Sequence, residues 1–114
     1  RESTRLAGIS DPVVQRALTF IRDHACDGIV VGDVLAHVGA SQRSLERKLK
    51  RAIGRSPHQE IMSVKIERAK QLIRSSKRSL QEISFSCGFE SYKYFSDAFL
   101  RTTGQRPRNY RSGA

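Results

Sequence analysis

Apolar residues return every three or four positions through most of the chain and strand-like alternation is scarce, so the pattern predicts helices. In DPVVQRALTFIRDHAC, Asp11 is placed to cap a helix with Pro12 at its first position. Val13, Val14, Ala17, Leu18 and Ile21 then share one face. The loop DGIV follows. Next, VGDVLAHV holds Val31, Val34, Leu35 and Val38 in phase and ends at Gly39. Ser41 caps QRSLERKLKRAI, whose inward stripe is Leu45, Leu49, Ala52 and Ile53.

Two capping boxes mark the clearest helix starts. Ser56-Pro57-His58-Gln59 opens a long helix carrying Ile61, Val64, Ala69, Leu72 and Ile73. It runs to about residue 74, a rod of roughly 27 Å. Ser79-Leu80-Gln81-Glu82 opens a short helix with Leu80, Ile83 and Cys87 facing one way. Gly88 ends it, Ser91 caps the next helix, and Phe95 and Phe99 point inward. A turn at Thr103-Gly104 leads to RPRNYR and a loose SGA tail.

Two parts of this pattern match. Val31, Val34, Val38 and Gly39 correspond to Leu80, Ile83, Cys87 and Gly88 at an offset of 49. After one inserted residue the offset is 50, pairing Ser41 with Ser91, Leu45 with Phe95, Leu49 with Phe99, Gly54 with Gly104 and Pro57 with Pro107. Each copy is a short helix, a glycine-containing turn and a longer capped helix, the grammar of a helix-turn-helix. The predicted class is all-α. About seven helices form two helix-turn-helix subdomains, residues 12–56 and 79–111, joined by a linker helix over 57–74.

Charge narrows the partners. The 114 residues carry 21 lysines and arginines against 11 acidic residues, a formal charge of +10. Such an excess favours polyanions, nucleic acid ahead of an anionic membrane surface. There is no apolar run of transmembrane length and no signal-peptide core, so a soluble, non-membrane protein is expected. Cys26 and Cys87 read as small buried residues in a reducing compartment rather than a disulfide. His24, His37 and His58 are scattered singly, so neither metal nor cofactor is expected. No serine, cysteine or histidine has an evident base and orienting acid, which argues against an enzyme. The start at RESTRLAG reads as a fragment of something longer.

A capped helix with one apolar stripe leaves its other face to solvent or a partner. In the first unit that face carries Arg43, Glu46, Arg47 and Lys50, with Gln42 at the entrance. In a major groove, arginine offers a fork to guanine and glutamate accepts from cytosine N4. In the second unit Tyr92, Lys93, Ser96 and Asp97 are expected to face outward. Ser41, Lys50 and Ser91 are the expected phosphate contacts, the serines as caps at helix N-termini. A rod of roughly 27 Å with its flanking units suits the spacing of about 34 Å between major-groove faces on one side of B-DNA. The basic faces allow two functions: sequence-specific double-stranded DNA binding, or a helical adaptor for an acidic protein.

The C-terminal run ISFSCGFESYKYFSDAFLRTTGQRPRNYR carries a Cys-Gly-Phe turn, Ser91, Phe95, Phe99, Gly104, Pro107 and a closing Tyr110-Arg111. Together with VGASQRSLERKLKRAIGRSP it resembles the DNA-binding domain of the AraC/XylS family of bacterial transcription regulators, over about residues 12–111. The branch it resembles most regulates xylose utilisation. That resemblance implies a seven-helix domain in the bacterial cytoplasm, at the nucleoid, that binds promoter DNA through both recognition helices and activates transcription by contacting RNA polymerase. It also implies a sugar effector acting through an N-terminal sensor that these residues do not include. By position, the base-contact roles fall to Gln42, Arg43, Glu46, Arg47, Tyr92, Lys93, Ser96 and Asp97. The family usually has a basic residue where Asp97 stands, a lysine at Leu100, an aromatic at Glu60 and an arginine at Lys65.

Overall fold

Most helices of the computed structural model, which describes residues 10–113, begin on a cap that the sequence encodes. Helix α1 (Pro12–His24) starts behind Asp11, whose Oδ1 accepts from the Val13 amide at 2.9 Å. A single 3-10 turn (Ala25–Asp27) follows, then α2 (Val31–Val38) and α3 (Gln42–Ile53). Helix α2 lacks a hydroxyl cap. Instead the Asp33 carboxylate reaches back to the Val30 amide at 2.9 Å, one half of a capping box. Ser41 Oγ accepts from the Ser44 amide at 3.1 Å to open α3.

Helix α4 (Pro57–Ser75) begins with reciprocal bonds between Ser56 and Gln59, at 2.9 and 3.1 Å. Helix α5 (Leu80–Ser86) begins in the same way with Ser79 and Glu82, at 3.1 and 3.0 Å. Ser91 Oγ accepts from the Tyr94 amide at 3.1 Å and opens α6 (Tyr92–Thr103). Each cap contributes about 1 kcal/mol. Helix α7 (Pro107–Gly113) has Arg106 where a serine stands before α4. Ser112 and Gly113, expected as a loose tail, continue this last turn; Ala114 lies outside the described residues.

Seven α-helices are thus present among the described residues, and they divide into two compact units. Of the described residues, the first comprises 10–24 and Ile29–Ile61; the second comprises Ala25–Gly28 and 62–113. In the first unit α1 packs on α2 and α3. Its core is Val14, Ala17, Leu18, Ile21, Val34, Val38, Leu45, Leu49 and Ile61. Ala52, expected on the inward stripe of α3, is exposed and lines an open concavity with Asp11, Arg47, Lys48 and Arg51. The buried stripe of α3 therefore narrows to Leu45 and Leu49.

In the second unit α5 packs on α6, and α6 on α7. Its core is Ile66, Ala69, Ile73, Ile83, Cys87, Phe89, Phe95, Ala98 and Phe99, with Met62, Leu72, Leu80, Tyr92, Tyr110 and Cys26 packed against it. Phe95 and Phe99 meet edge to face, their centroids 5.7 Å apart, and Tyr110 sits 5.3 Å from Phe99. These geometries are the favourable ones for aromatic pairs. Cys87 is buried as expected, whereas Cys26 is only half-buried.

Candidate nucleic-acid interface

The two units use the same parts at matching positions. Gly54 and Gly104, at φ 74° and 83°, close α3 and α6 with amides donated to Lys50 and Leu100. In each unit this fixes one capped helix on the core by two large side chains, Leu45 and Leu49 or Phe95 and Phe99.

On α3 the exposed polar residues are Gln42, Arg43, Glu46, Arg47, Lys50 and Arg51. Arg43, Glu46, Arg47 and Lys50 line one shallow concavity with Ser56. Three of those four helix residues are cations, so the face suits an anion. Gln42 Nε2 donates to Glu46 Oε2 at 3.0 Å, which orients the one carboxylate on this helix. Lys48 does not belong to the face. It is half-buried and paired with Asp11 at 2.9 Å. That bond, and then the Val13 amide, hold the Asp11 carboxyl below the ordinary carboxylate range. Ser41 stands exposed at the helix N-terminus, with its hydroxyl spent on the cap.

On α6 the expected outward face is narrower. Ser96 is buried, because the inward stripe of α6 takes in Phe95, Ser96, Ala98 and Phe99. Its hydroxyl accepts from Arg106 Nη1 at 3.0 Å. Tyr92 is half-buried against the core, its ring 5.8 Å from Phe95, because the aromatic body is worth more in the core than in water. Lys93 is exposed and donates to Asp97 Oδ2 at 3.2 Å. Asp97 also accepts from Arg106 at 2.8 Å. Arg106 first, and then Lys93, keep its carboxyl below the ordinary range. Ser91 is exposed at the start of the helix. Arg106 was not marked by the sequence pattern; its one signal is that it occupies the position of Ser56 in the repeat.

Among the described residues no helix is long and apolar enough to cross a membrane, and no cluster of three or more metal-ligating side chains occurs. A family model described as a helix-turn-helix domain, of the AraC type, matches residues 34–113. The chain belongs to the AraC-type helix-turn-helix family. This AraC-type domain is 40% identical over 111 residues to the xylose operon regulatory protein of Escherichia coli K12, covering 97% of this chain and 28% of that protein. The chain therefore spans little more than a quarter of that relative's length. It is also similar to the solved structure of the xylose-binding transcription activator xylR, at 39% identity and a TM-score of 0.79, covering 91% of this chain and 27% of the other. The DNA-binding domain of AdpA, solved in complex with a target DNA, matches at 26% identity and a TM-score of 0.83, covering 91% and 93%.

Proposed function

We propose that this AraC-type domain binds double-stranded promoter DNA sequence-specifically, as the DNA-binding part of a bacterial transcription activator. The observation that carries the reading is the α3 face, where Arg43, Arg47 and Lys50 surround a single carboxylate oriented by Gln42. Cations set affinity through phosphates, while a fixed carboxylate costs affinity near phosphates unless it meets a base donor. A face built only to attract an acidic surface gains nothing from Glu46. The similarity to a DNA-binding domain solved on its target adds support.

In this reading Gln42, Arg43, Glu46 and Arg47 address base edges, Ser41 and Lys50 address phosphate, and Ser91 and Lys93 serve the second unit. The activity is binding, not catalysis. By likeness to the xylose operon regulatory protein, the operon concerns xylose use; as the family resemblance implies, a sugar acts through a separate sensor and RNA polymerase is the partner on the promoter. The place of action is the bacterial cytoplasm.

Selection of bound duplexes from random double-stranded DNA at physiological salt tests this. Two enriched boxes are expected, one blurred by Arg43→Ala and the other by Lys93→Ala. Tight, salt-sensitive binding with no enriched sequence sinks the reading and favours an adaptor for an acidic partner.

A further inference from the structure

The second unit carries an acid on α6 where the first carries an arginine on α3. At the repeat offset of 50, Asp97 stands opposite Arg47 and Arg106 stands opposite Ser56. These two departures meet in space. Arg106 Nη1 donates to Asp97 Oδ1 at 2.8 Å and to Ser96 Oγ at 3.0 Å. Both bonds use the same nitrogen, so Nε and Nη2 of the fork are not engaged in them. The Arg106 side chain remains 47% exposed although two residues of α6 hold it.

The Arg106 carbonyl accepts from the Tyr110 amide at 3.0 Å, but the Arg106 side chain does nothing for its own helix. It cannot accept hydrogen bonds from the first amides of α7, as Ser56 does for α4, and it adds positive charge at the positive end of a helix dipole. A residue that works against its local structure, yet is aimed by a neighbouring helix, points to a role beyond that structure. With Lys93 as the second cation on Asp97, the trio holds two positive charges and one negative, and keeps a net positive charge. Asp97 stays ionised because both cations hold its carboxyl low, so the acid on this face is neutralised from within the protein.

We propose that Arg106 supplies the DNA-contacting guanidinium of the second unit, in place of the arginine that α6 lacks at position 97, with Asp97 and Ser96 as its positioning residues. The proposal rests on the DNA-binding reading above. Its ligand chemistry is a paired acceptor, either a phosphate or the O6/N7 edge of guanine.

The test measures binding of the selected duplex against salt concentration, and repeats the selection, for the full 114-residue chain and three variants. Arg106→Ser places at this position the serine that opens α4, so α7 is kept or improved, and thermal melting checks that it is. Its affinity is expected to fall about 10-fold or more. A phosphate contact shows as a salt slope lower by about 1, and a guanine contact as a blurred base in one box. Arg106→Lys is expected to keep the slope without recovering the affinity, because the fork is lost. Asp97→Asn is expected to tighten non-specific binding and weaken discrimination. A folded Arg106→Ser variant with unchanged affinity, slope and selected sequence overturns the assignment. A wild-type chain that selects no sequence sinks the DNA-binding reading itself, and this inference with it.

Discussion

The Lys65 ammonium donates to the Gly88 carbonyl at 3.2 Å and lies 5.0 Å from the centroid of the Phe89 ring. A buried lysine inside an α-helix thus holds the turn that leads into α6. Burial pushes its pKa down, and the bond to the carbonyl offsets part of that cost. Lys65→Met keeps most of the apolar stem but leaves the Gly88 carbonyl without this donor. The expected loss is about 1–3 kcal/mol of stability, read as a lower urea midpoint with an unchanged slope. Lys65→Ala should lose more, because the stem goes too. A Met variant as stable as the parent would mean that water satisfies the carbonyl equally well.

Gly88 itself is the tightest backbone position of that turn. It has φ +87°, and a Cβ there would lie 2.9 Å from the Cys26 carbonyl oxygen. Gly104 has nearly the same backbone, φ +83°, with nothing within 4 Å of its Cβ position. The pair separates strain from collision. Gly104→Ala should cost about 1–2 kcal/mol, the left-handed penalty alone. Gly88→Ala should cost about 2–5 kcal/mol, since backbone atoms cannot step aside as a flexible side chain does. Equal losses in denaturant titrations would contradict this packing.

What the sequence reveals here is what short-range chemistry decides. Ser41, Ser56, Ser79 and Ser91 act as caps because each cap involves residues no more than three apart. The paired core positions Leu45/Phe95 and Leu49/Phe99 are legible because one helical period places them. Other features depend on which elements meet. Ser96 and Tyr92 turn inward because α6 is covered by neighbours on a wider arc than two phenylalanines suggest. Helix α4 shows no single stripe because its residues through Ile61 belong to one unit and the rest to the other. Glu60 and Lys65, both buried on it, break the apolar pattern; Glu60 is paired with Arg55 at 3.0 Å. Arg106 was out of reach for the same reason, since its partners lie nine and ten residues back on another helix.

Asp11 gives a pH signature for the first unit. Its carboxyl has a folded-state pKa below the usual 3.8, first through the Lys48 bond and then through the Val13 amide. An acid whose pKa is lowered by folding adds stability that is complete above 3.8 and disappears as pH falls through the lowered value. Asp11→Asn keeps a capping oxygen and removes the charge. The melting temperatures of parent and variant should therefore differ most near neutral pH and converge below the lowered pKa. A difference that stays constant from neutral to strongly acidic pH would remove the ion pair as its cause.

The bond from Gln42 to Glu46 makes the clearest case for discrimination on α3. Their 3.0 Å contact holds a carboxylate among Arg43, Arg47 and Lys50, where any bound phosphate is repelled by it. Glu46→Ala should therefore raise affinity for random duplexes while costing about 1–3 kcal/mol of preference for the selected site. The two effects have opposite signs, so an unfolded or weakened variant cannot mimic them. Gln42→Ala leaves the charge but frees the carboxylate to turn, and should lower preference less while leaving non-specific affinity nearly unchanged. Affinities for selected and scrambled duplexes at one salt concentration measure both. If Glu46→Ala tightens binding to each duplex equally, the carboxylate tunes charge alone and reads no base.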